Sequence, residues 1–122
     1  MPTKTYQQYH DLKVWQEALQ LASEVYKIAN KLPETEIYGL TYQLKSSALS
    51  IPVKIALGHS KRQKFDYYLR LALDAVYQLE NCLRLSQDLE YLTETQVKDM
   101  LAKSNGITKM LYGFIKKLKE TK

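Results

Sequence analysis

The chain holds one cysteine, two histidines, three prolines and four glycines in 122 residues, and each shortage excludes something. A single thiol, Cys82, forms no internal disulfide. It precedes Leu83 of an apolar stripe and is expected to be a small apolar filler in a reducing compartment. His10 and His59 both lack a glutamate three residues earlier, so no Glu-x-x-His pair exists for a carboxylate-bridged di-metal bundle. There is no Cys-x-x-Cys and no His-Glu-x-x-His, and four scattered glycines build no phosphate loop. The expectation is no metal, no cofactor and no enzymatic activity, with His59 a solvated loop residue. No uninterrupted apolar run approaches the roughly 18 residues a membrane span needs, and MPTKTYQQYHDL lacks the apolar region of a secretory signal. A cytoplasmic protein without a membrane partner is expected. Repeats, Ser/Gly-rich linkers and low-complexity tracts are also missing, so one domain over 11–120 should follow an N-terminal extension at 1–10.

What is present is a 3-4-3-4 spacing of apolar residues through four segments. The first stripe runs Leu12, Trp15, Leu19, Ala22, Tyr26, Ala29. The third runs Phe65, Leu69, Ala72, Val76, Leu79, Leu83, and the fourth Val97, Met100, Ser104, Ile107, Leu111, Phe114, Leu118. Steps averaging 3.5 residues keep one helix face toward its neighbours and favour left-handed packing. With short connections the expectation is an all-α, antiparallel up-down-up-down four-helix bundle.

Punctuation sets the limits. The first helix should span 11–32, with Asp11 near its start and Pro33 as its stop. The second should start at 34–37 and end at Gly58 as a C-terminal cap, with Pro52 kinking it, either to wrap the helix around the core or to open a functional groove, and Ser46, Ser47 and Ser50 serving freed backbone groups. The connector HSKRQK leads to a third helix at about 64–91. A Thr93/Gln96 capping box opens the fourth. From Phe65 to Leu92, 17 of 28 residues are apolar or aromatic, leaving only a narrow polar strip. A helix with so little polar circumference is expected to be covered by self-association, or else to sit deepest in its own bundle.

Charge divides along the chain. Residues 45–70 carry six cations and one acid and residues 103–122 again six and one, whereas 71–102 carry two cations and six acids. In up-down order Lys54, Lys61, Arg62, Lys64, Lys116, Lys117, Lys119 and Lys122 converge at one end near Lys13, and Arg70 closes the first basic stretch. Such a pole is the footprint of a phosphate-bearing partner, RNA or DNA, because neutralising phosphates releases condensed counterions. Two other readings stand beside it: an acidic protein surface docking on a helical scaffold, and lysines that only favour helix carboxyl ends and solubility. Lys61, Arg62 and Lys64 resist the last reading, since cations at the start of a helix oppose its dipole. Tyr42 and Tyr67, off the stripe near the basic stretch, are candidates for stacking on bases or for packing at a subunit boundary.

YHDLKVWQEA (9–18), IYGLTYQLKSSALSIPVKIALG (37–58) and FDYYLRLALDAVYQLE (65–80) together resemble the four-helix-bundle proteins encoded in intervening sequences of bacterial 23S ribosomal RNA genes. The specific elements are Tyr9 to Trp15, Tyr38-Gly39-Leu40, and Ser50-Ile51-Pro52 followed by Ile55-Ala56 and Gly58. The resemblance implies a small cytosolic bundle in a homopentameric ring. It extends to the accessory variability proteins of diversity-generating retroelements, which bind reverse transcriptase and nucleic acid through a basic surface. The chain departs from the family at Leu57, where glutamate is common, so whatever that acid does is not carried over.

Overall fold

The computed structural model describes residues 8–120, and among these every regular element is helical. A 3-10 turn at Tyr9–Asp11 precedes four helices, α1 (Lys13–Ala29), α2 (Leu40–Ser60), α3 (Phe65–Asp88) and α4 (Glu94–Glu120), and further 3-10 turns at Glu34–Glu36 and Arg62–Lys64 lie between α1 and α2 and between α2 and α3. Consecutive helices pack on each other and α4 returns to α1, so four seams enclose one core. Lys45 of α2 donates to Asn30 beyond the end of α1 at 3.2 Å, while His59 and Ser60 share a groove with Tyr9 and Trp15 at the start of α1. Gln78 of α3 donates to Gln43 at 2.7 Å, while Phe65 and Tyr68 lie against Gly58. The Phe65 and Phe114 rings are 5.0 Å apart, Ser104 donates to Glu80 at 2.7 Å, and Lys103 pairs with Glu24. Each seam joins low numbers to high ones, so neighbouring helices run in opposite directions.

The core is filled by aliphatic side chains, among them Leu21, Leu44, Ile51, Leu69, Leu79, Leu83 and Leu111. Burying each contributes about 1.5–3 kcal/mol. The α3 stripe is buried throughout, and α4 follows its stripe as far as Leu111, beyond which Ile115 is buried and Phe114 and Leu118 are half-buried. The α1 stripe requires correction. Val14, Ala18, Leu21, Ala22, Val25 and Ala29 face the core, whereas Leu19 and Tyr26 are 43% and 38% exposed and Trp15 is half-buried. Two interleaved 3-4 stripes exist in this helix. The inward face follows Val14, Ala18, Leu21 and Val25 and takes from the expected stripe only its two alanines, Ala22 and Ala29, while the larger Trp15, Leu19 and Tyr26 stand at its edge.

Several limits also move. Asp11 accepts from the backbone N–H of Gln8 at 3.3 Å and so caps the preceding turn, while α1 starts after Leu12 with no side-chain cap. Helix α2 runs unbroken through Pro52, and Ser47 Oγ donates to the carbonyls of Gln43 (2.7 Å) and Leu44 (3.3 Å), one turn before the carbonyl the proline frees. Gly58 is no terminal cap: it lies inside α2, buried, with a negative φ. It is needed for proximity, since a Cβ there would meet Tyr68 Cβ at 2.8 Å and Phe65 Cδ1 at 2.9 Å. Helix α3 stops at Asp88 with Glu90 in the left-handed region (φ 65°), where the N–H of Tyr91 donates to Ser86 O and that of Glu90 to Gln87 O, both at 2.9 Å. This is a Schellman closure with glutamate at the usual glycine position. The Thr93/Gln96 capping box is formed, with reciprocal bonds of 3.1 and 2.9 Å. No helix among the described residues is long and apolar enough to cross a membrane.

Replacing Gly58 by alanine should destabilise the bundle by about 1–3 kcal/mol through overpacking, despite the better helix propensity of alanine. Alanine at Gly106 or Gly113, where an added Cβ meets nothing within 4 Å, should stabilise by about 0.5–1 kcal/mol. Urea unfolding of the three variants measures both signs.

Candidate nucleic-acid interface

Antiparallel order brings the ends of α2 and α4 and the starts of α1 and α3 to one pole. Lys61, Arg62 and Lys64 are exposed in the short turn between α2 and α3, and Lys116, Lys117 and Lys119 are exposed on the last turns of α4. The 5.0 Å contact of Phe65 with Phe114 holds these two groups of cations beside each other. Lys13 and Lys117 line one cleft between α1 and α4. Among the described residues none of these seven cations has an ion pair. Lys54 is half-buried on α2, nearly two turns before Lys61. Arg70 is engaged by Asp66 of its own helix at 3.2 Å, which leaves its charge largely compensated. Lys122 lies outside the described residues. The opposite pole gathers Glu34, Glu36, Asp88, Glu90 and Glu94. There Glu36 accepts from Tyr91 Oη and from the Leu40 N–H, both at 3.0 Å, and its bond holds the Tyr91 phenol above its ordinary pKa.

Because α2 extends to Ser60, Lys61 is its C-terminal cap residue, its N–H donating to Leu57 O at 2.9 Å. The α2 dipole therefore favours the Lys61 charge. Opposition to a helix dipole is clearest for Lys64, directly before α3.

Sequence reasoning held a groove at Pro52 only as the alternative to a structural bend, and missed the other residues that line one beside this pole. Residues from two distant motifs, Tyr9 and Trp15 from one, Pro52 and Ala56 from the other, line a groove of about 600 Å³ between α1 and α2. Leu19, Leu49, Val53 and Leu57 extend it, and His59 and Ser60 stand at its basic end. The available signal was the second apolar stripe of α1, which carries Trp15 and Leu19 out of the core. The two off-stripe tyrosines near the basic stretch, Tyr42 and Tyr67, are both exposed.

Residues 10–113 match the family described as 23S rRNA-intervening sequence protein. The chain belongs to that family. It is also similar to the crystal structure of a protein of unknown function from the S23 ribosomal protein family of Bacteroides thetaiotaomicron. That likeness has a TM-score of 0.77 and 26% identity, over 84% of this chain and 98% of the other. No curated protein matches the sequence.

Cys82 lies toward the other end of α3, away from the pole. Burial raises the Cys82 thiol above its usual range, which keeps it protonated. Among the described residues no group of three His, Cys, Asp or Glu side chains is placed to hold a metal ion. His59 packs edge-on against Phe65 at 6.0 Å, and its backbone carbonyl accepts from Arg62 Nε at 3.2 Å. Burial, and secondly the Arg62 charge, hold its imidazole below the ordinary value of 6.5. The depressed group contributes stability that is fully present above the unfolded value and is lost as pH falls through the folded one.

Phosphates bound at the pole would favour the imidazolium, so polyphosphate should move the His59 midpoint upward. Imidazole NMR titration, assigned with a His10→Gln variant, measures the shift. An unchanged midpoint with polyanion bound would place the phosphates away from this turn.

Proposed function

We propose that the protein is a non-enzymatic, homo-oligomeric accessory protein that binds RNA or DNA through its basic pole. The observation that carries this reading is the convergence of Lys61, Arg62 and Lys64 with Lys116, Lys117 and Lys119, exposed and without ion pairs among the described residues. Side chains of this kind bind phosphate by releasing counterions, whatever the base sequence. The family description, naming an intervening sequence of 23S rRNA, supports RNA as the first ligand to test. The resemblance to retroelement accessory proteins supports a reverse transcriptase as a protein partner. Lys54 and Arg70 belong to the proposed surface as flanking charges, Arg70 after release from Asp66.

Oligomerisation multiplies this surface. Tyr67, Tyr77, Leu85 and Leu89 leave an apolar side of α3 uncovered, and Tyr112 of α4 adjoins it, its hydroxyl 3.2 Å from that of Tyr77. A ring, pentameric as the resemblance implies, would repeat the pole and raise avidity through effective concentration. Sedimentation at micromolar protein should give several times the chain mass, and Leu85→Glu should reduce it toward a single chain. A concentration-independent monomer overturns the oligomer.

Changing Lys61, Arg62 and Lys64 together to glutamate should weaken RNA and DNA binding broadly across sequences while leaving the thermal transition in place. The slope of log affinity against log salt should become shallower by about 0.7–0.9 for each phosphate that the variant no longer neutralises. Unchanged affinity and slope in the folded variant overturn this placement. Failure of the parent to bind any polyanion at low salt would favour a scaffold that docks an acidic protein instead.

A further inference from the structure

The groove between α1 and α2 has chemistry that a phosphate-binding pole does not require. Its lining contains no carboxylate. Tyr9 is 40% exposed at its mouth and meets the half-buried Trp15 edge-to-face at 5.3 Å. Pro52, Val53, Ala56 and Leu57 supply further apolar lining. His59 and Ser60 close the basic end, and the Arg62 bond to the His59 carbonyl ties the cationic turn to that rim. A volume of about 600 Å³ falls within the roughly 300–1,000 Å³ typical of small-ligand sites.

Resting on the phosphate-binding reading above, we propose that this groove receives an unpaired nucleobase, stacked against Trp15 and Tyr9, while Lys61 and Arg62 hold the adjoining phosphates. The ligand class is therefore single-stranded nucleic acid. A base offers a flat π face to the aromatic wall and a phosphate to the cations in one ligand, and unpaired bases are the ones free to leave their stack. Duplex meets the cations alone, since its faces are occupied by neighbouring pairs. A purely apolar protein segment would fill the wall but leave Lys61 and Arg62 at the rim without counter-charge. The neighbouring cleft between α1 and α4, about 410 Å³, has cations in Lys13 and Lys117 but a single ring, Phe114, and no second aromatic side chain. Leu57 makes the α1–α2 groove permissive: glutamate at this position would set a carboxylate against the incoming phosphates.

Trp15 is the sole tryptophan, so its fluorescence reports the groove directly. The full-length protein is titrated with a labelled 12-nucleotide single-stranded RNA, the duplex of the same sequence and inorganic polyphosphate, following anisotropy or competition together with Trp15 emission. The single strand should quench Trp15, and the duplex and polyphosphate should bind without quenching. Tyr9→Ala should weaken single-strand binding by about 5- to 150-fold, the range for losing one stacked base, with polyphosphate affinity unchanged. Leu57→Glu should reduce both the quench and single-strand affinity. Single-strand binding without quenching in the parent protein overturns the groove and leaves the basic pole standing. Absence of binding by all three polyanions overturns both readings. A Trp15 signal that changes with protein concentration alone, and is then insensitive to RNA, assigns the groove to a second copy of the chain and overturns the proposal.

Discussion

The close approach of α3 to the last turns of α2 is the contact on which the rest of the molecule depends. Gly58 has no Cβ to hold the helices apart, so Phe65 and Tyr68 lie against its backbone at distances a side chain would not allow. The α2–α3 seam is accordingly the most extensive in the bundle. A four-residue connector suffices to reverse the chain there, and three of its four residues are cationic. Phe65, fixed by the same approach, then packs on Phe114 and draws the end of α4 to the same place. Local proximity at one glycine thereby positions the whole basic pole.

Charge then sorts by topology. Cations from two stretches of sequence more than fifty residues apart meet at one end, while carboxylates from the loops at the other end are partly occupied, Glu36 by Tyr91 and the Leu40 backbone. Ion pairs along the barrel, Arg70 with Asp66 and Lys103 with Glu24 and Asp99, remove charge from the sides. Exposed pairs of this kind contribute little stability. Their effect here is local: Arg70 and Lys103 are paired, whereas the cations clustered at the pole have no ion pair among the described residues. His59 adds no formal charge while neutral, yet it lies where an arriving phosphate would alter its protonation.

Two different uncovered apolar surfaces give the protein two different openings for partners. The side of α3 bearing Tyr77, Leu85 and Leu89 shares no residue with the groove between α1 and α2, which has His59 and Ser60 at its basic end. An oligomer formed through the first leaves the second free. This division follows from the cyclic packing order, in which α1 lies between α2 and α4 and diagonal to α3.

By itself the sequence determined that the chain is helical, that it has four segments, and where the fourth begins, because periodicity, Thr93 and Gln96 act through neighbours within one turn. It also determined the faces of α3 and of most of α4, where one apolar stripe clearly dominates. Tertiary structure alone decided which face of α1 turns inward, since two stripes of similar length compete and packing beside α2 and α4 buries Val14, Ala18, Leu21 and Val25 with only the alanines of the other. The same holds for Gly58, whose local sequence suits a helix end but whose role is set by the rings of Phe65 and Tyr68 from another helix. The end of α3 was equally hidden, because Glu90 adopts a left-handed conformation that its side chain disfavours and that the closure around it imposes. The candidate site divides in the same way: lysines and arginines were visible as a charge pattern, whereas the groove exists only because Trp15, half-buried at the edge of the core, lines it together with Pro52 and Val53 across a seam that no local spacing encodes.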